Sequence, residues 1–145
     1  MQPHSAHPNR LGIWGWFGGG RWGLDRYLFS LHRLTGLGLL AYFMLHIVLT
    51  SSRALGESAW KNAMAQVEGP FFTLGEYLVF FAFAFHAING VRLLLLELGI
   101  LAGQPEEPIY PYRTSVQRQR PLALGVMILA ALVILLGGWD FFVLR

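Results

Sequence analysis

Three long apolar stretches constrain this chain more than any other feature. They run roughly Leu28–Thr50, Phe71–Leu101 and Leu122–Leu144. Each exceeds the ~20 residues needed to cross a ~30 Å hydrocarbon core. A chain of 145 residues is one domain's worth, and three such stretches cannot all be core helices of so small a domain. Apolar residues make up 54% of the chain and charged residues 13%, about half the usual charged share. That is too little polar surface for a soluble fold and too little charge for a disordered chain. The expected fold is all-α, a membrane protein with three transmembrane helices as antiparallel neighbours joined by short polar connections. There is no internal repeat. The absence of cysteine excludes a disulfide scaffold, a thiolate metal site and a Cys-ligated iron–sulfur cluster within this chain.

Residues 1–27 carry Arg10, Arg21, Arg26, a Gly18-Gly19-Gly20 run and Trp14, Trp16, Phe17 and Trp22. This lacks the form of a signal peptide. It reads as an interfacial arm with tryptophans at headgroup depth, or as a docking arm for a soluble partner. Residues 28–145 form the three-helix anchor. Orientation follows from Lys and Arg. The arm and the second loop together hold Arg10, Arg21, Arg26, Arg113, Arg118 and Arg120, against Arg53, Lys61 and Arg145 on the other side. The expectation is a cytoplasmic N-terminus and second loop. Pro70 is expected to open the second helix, with Thr73-x-x-Glu76 as a capping box. Pro105, Pro108 and Pro111, with Tyr110 and Tyr112, predict a stiff non-helical second loop, and Pro121 is expected to open the third helix.

Ionisable side chains inside a span cost a few kcal/mol each, so each should face a partner, a cofactor or a cavity. The third span is the control: from Leu122 to Trp139 it has no charge, and Gly125 with Ala130-Ala131 permits close packing. The first span carries Ser30, His32, Arg33, Thr35 and His46. His32, Thr35, Gly36, Leu39, Phe43 and His46 fall near one helical stripe. His32 and Arg33 lie about one turn inside the end. They read either as an interfacial His beside a snorkelling Arg or as a site for an anion or polar headgroup. The second span carries Glu76, His86, Asn89 and Arg92. His86, roughly 15 Å from Glu97, is the deepest ionisable residue. It is either a haem b ligand, with Gly90 or Ala82 giving room to a macrocycle, or a histidine bonded to a neighbouring helix. His46 sits roughly 25 Å up its span. It is too far from the depth of His86 to share one iron.

Ser30-Leu-His32-Arg33-Leu-Thr35-Gly36 resembles the S-x-H-R-x-[ST]-G signature on the first span of the cytochrome b556 membrane-anchor subunit of succinate dehydrogenase. His86-Ala-Ile-Asn-Gly90-Val-Arg92 followed by Glu97-Leu-Gly99 resembles the H-x-x-x-G-x-R…[DE]-x-G signature of its second span. The resemblance covers roughly residues 28–145. It implies a subunit of succinate:quinone oxidoreductase, respiratory complex II, in a bacterial or archaeal cytoplasmic membrane and not catalytic alone. A second anchor subunit would complete the helical bundle. An iron–sulfur subunit and a flavoprotein subunit would dock on it, with lipid and no nucleic acid as further partners. It implies haem b as cofactor, one or two per complex, and a quinone as substrate. By carry-over His86 is the axial ligand of the haem iron. His32 and Arg33 lie near the haem propionates and the quinone pocket, Ser30 near the quinone, and Gly90 and Arg92 near the cofactor. The sequence departs from the family's pattern in three places. Phe29 stands where the best-known members place the hydroxyl, and Leu93 where many have a second His. His46 resembles the late first-span His of other members, actinobacterial and archaeal types included, and would be a structural histidine or the ligand of a second haem. The same anchor can serve a quinol:fumarate reductase. From another class, the chain can be a haem-free scaffold or transporter subunit with structural histidines.

Overall fold

The structure is a computed structural model and describes residues 24–101, Glu107 and residues 115–144. The arm ahead of Leu24 and the proline-rich second loop, apart from Glu107, lie outside the described residues. Those described are almost entirely helical, and three helices are long and apolar enough to span a membrane. The order is α1 (Leu24–Ser51), a 3-10 turn (Ser52–Leu55), α2 (Glu57–Gln66), α3 (Pro70–Glu97), α4 (Ser115–Trp139) and a π-helical turn (Asp140–Leu144).

Helix α1 has an acid, Asp25, in its first turn, where the helix dipole favours negative charge. At its other end Thr50, Ser51 and Ser52 turn their hydroxyls back onto the carbonyls of His46, Val48 and Leu49 at 2.6–2.7 Å. Such back-bonding offers the backbone an alternative to further α-helix, and the chain tightens into the 3-10 turn.

Helix α2 lies within the polar connection between the first two spans. Its ten residues are too few and too polar to register as a span. They still form a helix, with an exposed Lys61–Glu57 pair at 2.6 Å. Helix α3 opens on Pro70 behind Gly69, so the expected capping box does not form. Thr73 is already inside the helix, and its hydroxyl bonds the Gly69 carbonyl at 3.2 Å. The helix ends earlier than the apolar run. Gly99, at φ 74°, is the cause. Its N–H bonds Leu96 O at 3.0 Å, and that of Ile100 bonds Leu95 O at 3.1 Å, the paired closure of a left-handed C-terminal cap. Pro121 does not open α4; it sits inside the helix, which starts at Ser115. A proline there removes one backbone hydrogen bond near a helix end, a tolerable loss where water reaches the freed carbonyl.

Helix α3 is the middle of the three spans and packs against both α1 and α4. Leu28, Phe85 and Ala123, one from each span, form the buried core, with Leu24, Leu31 and Met127 against it. Ala123, Ala130 and Gly137 of α4, spaced by sevens and so on one face, are small; Ala123 and Ala130 are buried, Ala123 packs with Phe85 of α3, and Gly137 and Gly138 lie against Phe80 and Tyr77 of α3. A Cβ at Gly137 would overlap the Phe80 ring. Gly125 faces open space, and Ala131 is exposed. At this far end Tyr77 donates to Ile134 O at 3.2 Å. Most other large apolar side chains of the spans point outward, as expected when the solvent is lipid or another membrane chain.

Candidate functional site

Histidine 32 on α1 and His86 on α3 meet face to face. Their ring centroids are 3.9 Å apart and their planes 7° from parallel. A glycine on α1 makes the approach possible. A Cβ at Gly36 would stand 2.8 Å from His86 Cε1, whereas one at Gly90 would make an ordinary contact, 3.4 Å from His32 Cε1. The space beside Gly90, expected for a macrocycle, is therefore faced by His32; Ala82 is half-buried.

His86 Nδ1 lies 3.0 Å from the His32 carbonyl oxygen. A carbonyl only accepts, so Nδ1 carries the hydrogen and donates. The neutral ring then keeps its lone pair on Nε2. Thr35, buried on α1, adds a longer 3.4 Å contact to the same Nδ1. Its hydroxyl bonds the Leu31 and His32 carbonyls at 2.8 and 3.0 Å. Fixing one ring nitrogen through a carbonyl, so that the other is free to coordinate, is the usual second contact of a metal-bound histidine. His86 therefore fits an axial iron ligand. The stacked pair does not fit two ligands of one metal. Imidazole lone pairs lie in the ring planes, and parallel stacked rings cannot both aim them at one ion at the ~2 Å bond length.

Arg92 is buried, and its Nε donates to Asn89 Oδ1 at 3.2 Å. Asn89 is buried as well, and among the described residues its Nδ2 has no hydrogen-bond partner; neither has His32 Nδ1. Spacing marked Asn89 as a polar residue in a span but did not reveal its burial beside Arg92.

The remaining expected residues lie elsewhere. Arg33 is exposed, with its guanidinium 5.2 Å from the Phe29 ring centre. Ser30, half-buried, is one turn before Arg33, so the two share a side of α1 that is not the side of the histidine stack. His46 is exposed and next to Tyr42, 5.7 Å between ring centres. It lies ten residues beyond Gly36, about 15 Å up the helix, so it is not level with His86. Among the described residues no group of three or more His, Cys, Asp or Glu could hold a bare metal ion. An open groove of about 700 Å³ lies on the far half of the bundle, lined by Leu39, Phe43, Glu76, Phe83 and Phe141 among others. It does not include the histidine pair.

Known proteins give these residues a context. The chain is similar to the succinate dehydrogenase hydrophobic membrane anchor subunit of Halobacterium salinarum, 29% identical over 91 residues, covering 62% of this chain and 66% of that one. It is similar also to the succinate dehydrogenase 2 membrane subunit SdhC of Mycobacterium tuberculosis, 22% identical over 95 residues, covering 66% of this chain and 60% of that one. The matched stretch thus spans about two thirds or less of each relative. No solved structure matches. Residues 13–136 match the succinate dehydrogenase/fumarate reductase transmembrane subunit family, and with three membrane-spanning helices the chain belongs to that family as a multi-pass membrane protein.

Proposed function

We propose that this chain is the haem b-binding membrane anchor of a succinate:quinone oxidoreductase. In this reading it docks an iron–sulfur and a flavoprotein subunit at the cytoplasmic face and pairs with a second membrane subunit. With them it builds the quinone-reduction site. The observation that carries the reading is the orientation of His86. Its Nδ1 is committed to the His32 carbonyl at 3.0 Å, which leaves Nε2 for iron.

His86 would hold the haem iron, with a further ligand supplied by another chain. Bound haem would supply a one-electron store beside the quinone site, its potential tuned by ligand and burial. His32 backs His86 through the stack and the carbonyl. Thr35 keeps its hydroxyl on the same backbone. Arg33, near the end of α1 that the basic residues assign to the cytoplasm, stabilises negative charge developing on a quinone oxygen, and Ser30 on the same side offers a hydroxyl. Electrons then arrive from the same side as the protons. The family serves succinate oxidation and fumarate reduction alike; direction is set by the quinone's potential and the soluble subunits.

The test is the reduced spectrum of the purified complex. It should show a b-type haem band that disappears in His86→Ala while the subunits still copurify. A full-strength band in that variant refutes His86 as ligand.

A further inference from the structure

Arg92 is a cation inside an apolar span, 6% exposed, and no carboxylate among the described residues pairs with it. One turn earlier Asn89 is 1% exposed. Its Oδ1 accepts from Arg92 Nε at 3.2 Å. Arginine can only donate, so this contact fixes which way the amide faces. Among the described residues Nδ2 is left as a buried donor without an acceptor. Across the helix contact, His32 packs against Gly90, the residue after Asn89, and among the described residues its Nδ1 is also buried without a partner. An uncompensated buried cation and an unpaired buried donor both carry a large desolvation cost. One anionic oxygen group relieves both.

We propose that Asn89 Nδ2 and the Arg92 guanidinium bind one carboxylate that the described residues do not supply. Asn89 is the positioning residue: it holds the guanidinium through Oδ1 and adds a second donor of its own. A planar amide beside a planar guanidinium matches a flat carboxylate. Two sources share that chemistry, a haem propionate and an Asp or Glu of a partner membrane chain. The first source rests on the haem reading above; the second does not.

The complex is produced in a haem-deficient host, then titrated with haem and, separately, with haem dimethyl ester, which lacks the carboxylates. Asn89→Leu removes both amide contacts. Asn89→Asp keeps the acceptor, removes the donor and gives Arg92 an internal counter-ion that excludes the outside carboxylate. Each variant should bind haem roughly tenfold more weakly than the unaltered complex, as for loss of a hydrogen bond to a charged group. The dimethyl ester should bind all three alike. A purely structural Asn89 would move both titrations together, and that result overturns the propionate source. Loss of a copurifying membrane subunit in both variants, with equal haem and ester binding, assigns the carboxylate to the partner chain. Unchanged titrations together with unchanged copurification overturn the subsite altogether. If the unaltered complex binds no haem, the proposed function fails, and copurification alone decides the subsite.

Discussion

Substituting Gly36 by alanine tests the histidine contact at its tightest point. The added Cβ would stand 2.8 Å from His86 Cε1 and 3.3 Å from Nδ1, whereas carbon–carbon contacts settle at about 3.5–4.0 Å. An overlap of about 0.7 Å or more must be relieved. His86 has little room to retreat. One ring face lies on His32 at 3.9 Å, and Nδ1 is held by the His32 carbonyl. So either α1 and α3 separate, or the ring gives up its hydrogen bond. Overpacking of this kind costs about 1–3 kcal/mol, and the helix preference of Ala over Gly returns at most ~1 kcal/mol. With that return the expected net loss is up to about 2 kcal/mol. Gly90→Ala is the matched control. Its Cβ would meet His32 Cε1 at 3.4 Å, an ordinary contact, so the helix preference should dominate and stability hold or rise slightly. Thermal unfolding of the purified complex, with the haem band as second signal, reads both. If Gly36→Ala proves as stable as Gly90→Ala, with an unaltered spectrum, the close packing of α1 on α3 through the two rings is wrong.

Three further outcomes follow from the same geometry. Arg33→Ala should lower quinone reduction by roughly 10²-fold while succinate oxidation with an artificial dye stays near normal; equal loss of both points to misassembly and refutes the pocket role. His46→Ala should leave the pyridine haemochrome ratio unchanged if one haem is bound per complex, and lower it by one if His46, exposed and about 15 Å above the level of His86, holds a second. Gly137→Leu should destabilise the α3–α4 pair by about 2–3 kcal/mol because Phe80 fills the space, whereas Tyr77→Phe, losing one bond to Ile134 O, should cost only ~0.6 kcal/mol; thermal midpoints that reverse this order contradict the packing.

The spans were legible because hydropathy over twenty residues is a long, redundant signal. Short signals failed where backbone geometry decided the outcome. Thr73 and Glu76 have capping-box spacing, but Gly69 and Pro70 start the helix three residues earlier. Pro121 reads as a helix opener, but α4 already runs at Ser115. Gly125 has the right size for close packing yet faces outward, while Ala123 and Gly137 do the packing. At the site, the cost of polarity in a span picked out His32, His86 and Arg92. Spacing along one helix does not say which residue of the next helix lies opposite, so the stack of His32 on His86 was not legible. Asn89 was visible as a polar residue, but its near-complete burial depends on how other helices pack on α3.

The three span histidines separate by surroundings rather than by residue type. His46 has an exposed ring beside Tyr42. His32 lies in the contact with one nitrogen buried and, among the described residues, unpartnered, while its carbonyl holds His86. His86 alone has a ring nitrogen fixed by a backbone acceptor, the feature that orients a metal-binding imidazole. The parallel stack denies a common metal to His32 and His86, and depth denies one to His46 and His86. Within the described residues this chain can therefore offer one oriented imidazole at that level. A haem b iron held there under the proposed function would take its other ligand from outside these residues. Where a second subunit supplies that ligand, losing either one would loosen the contact between the subunits as well as the cofactor.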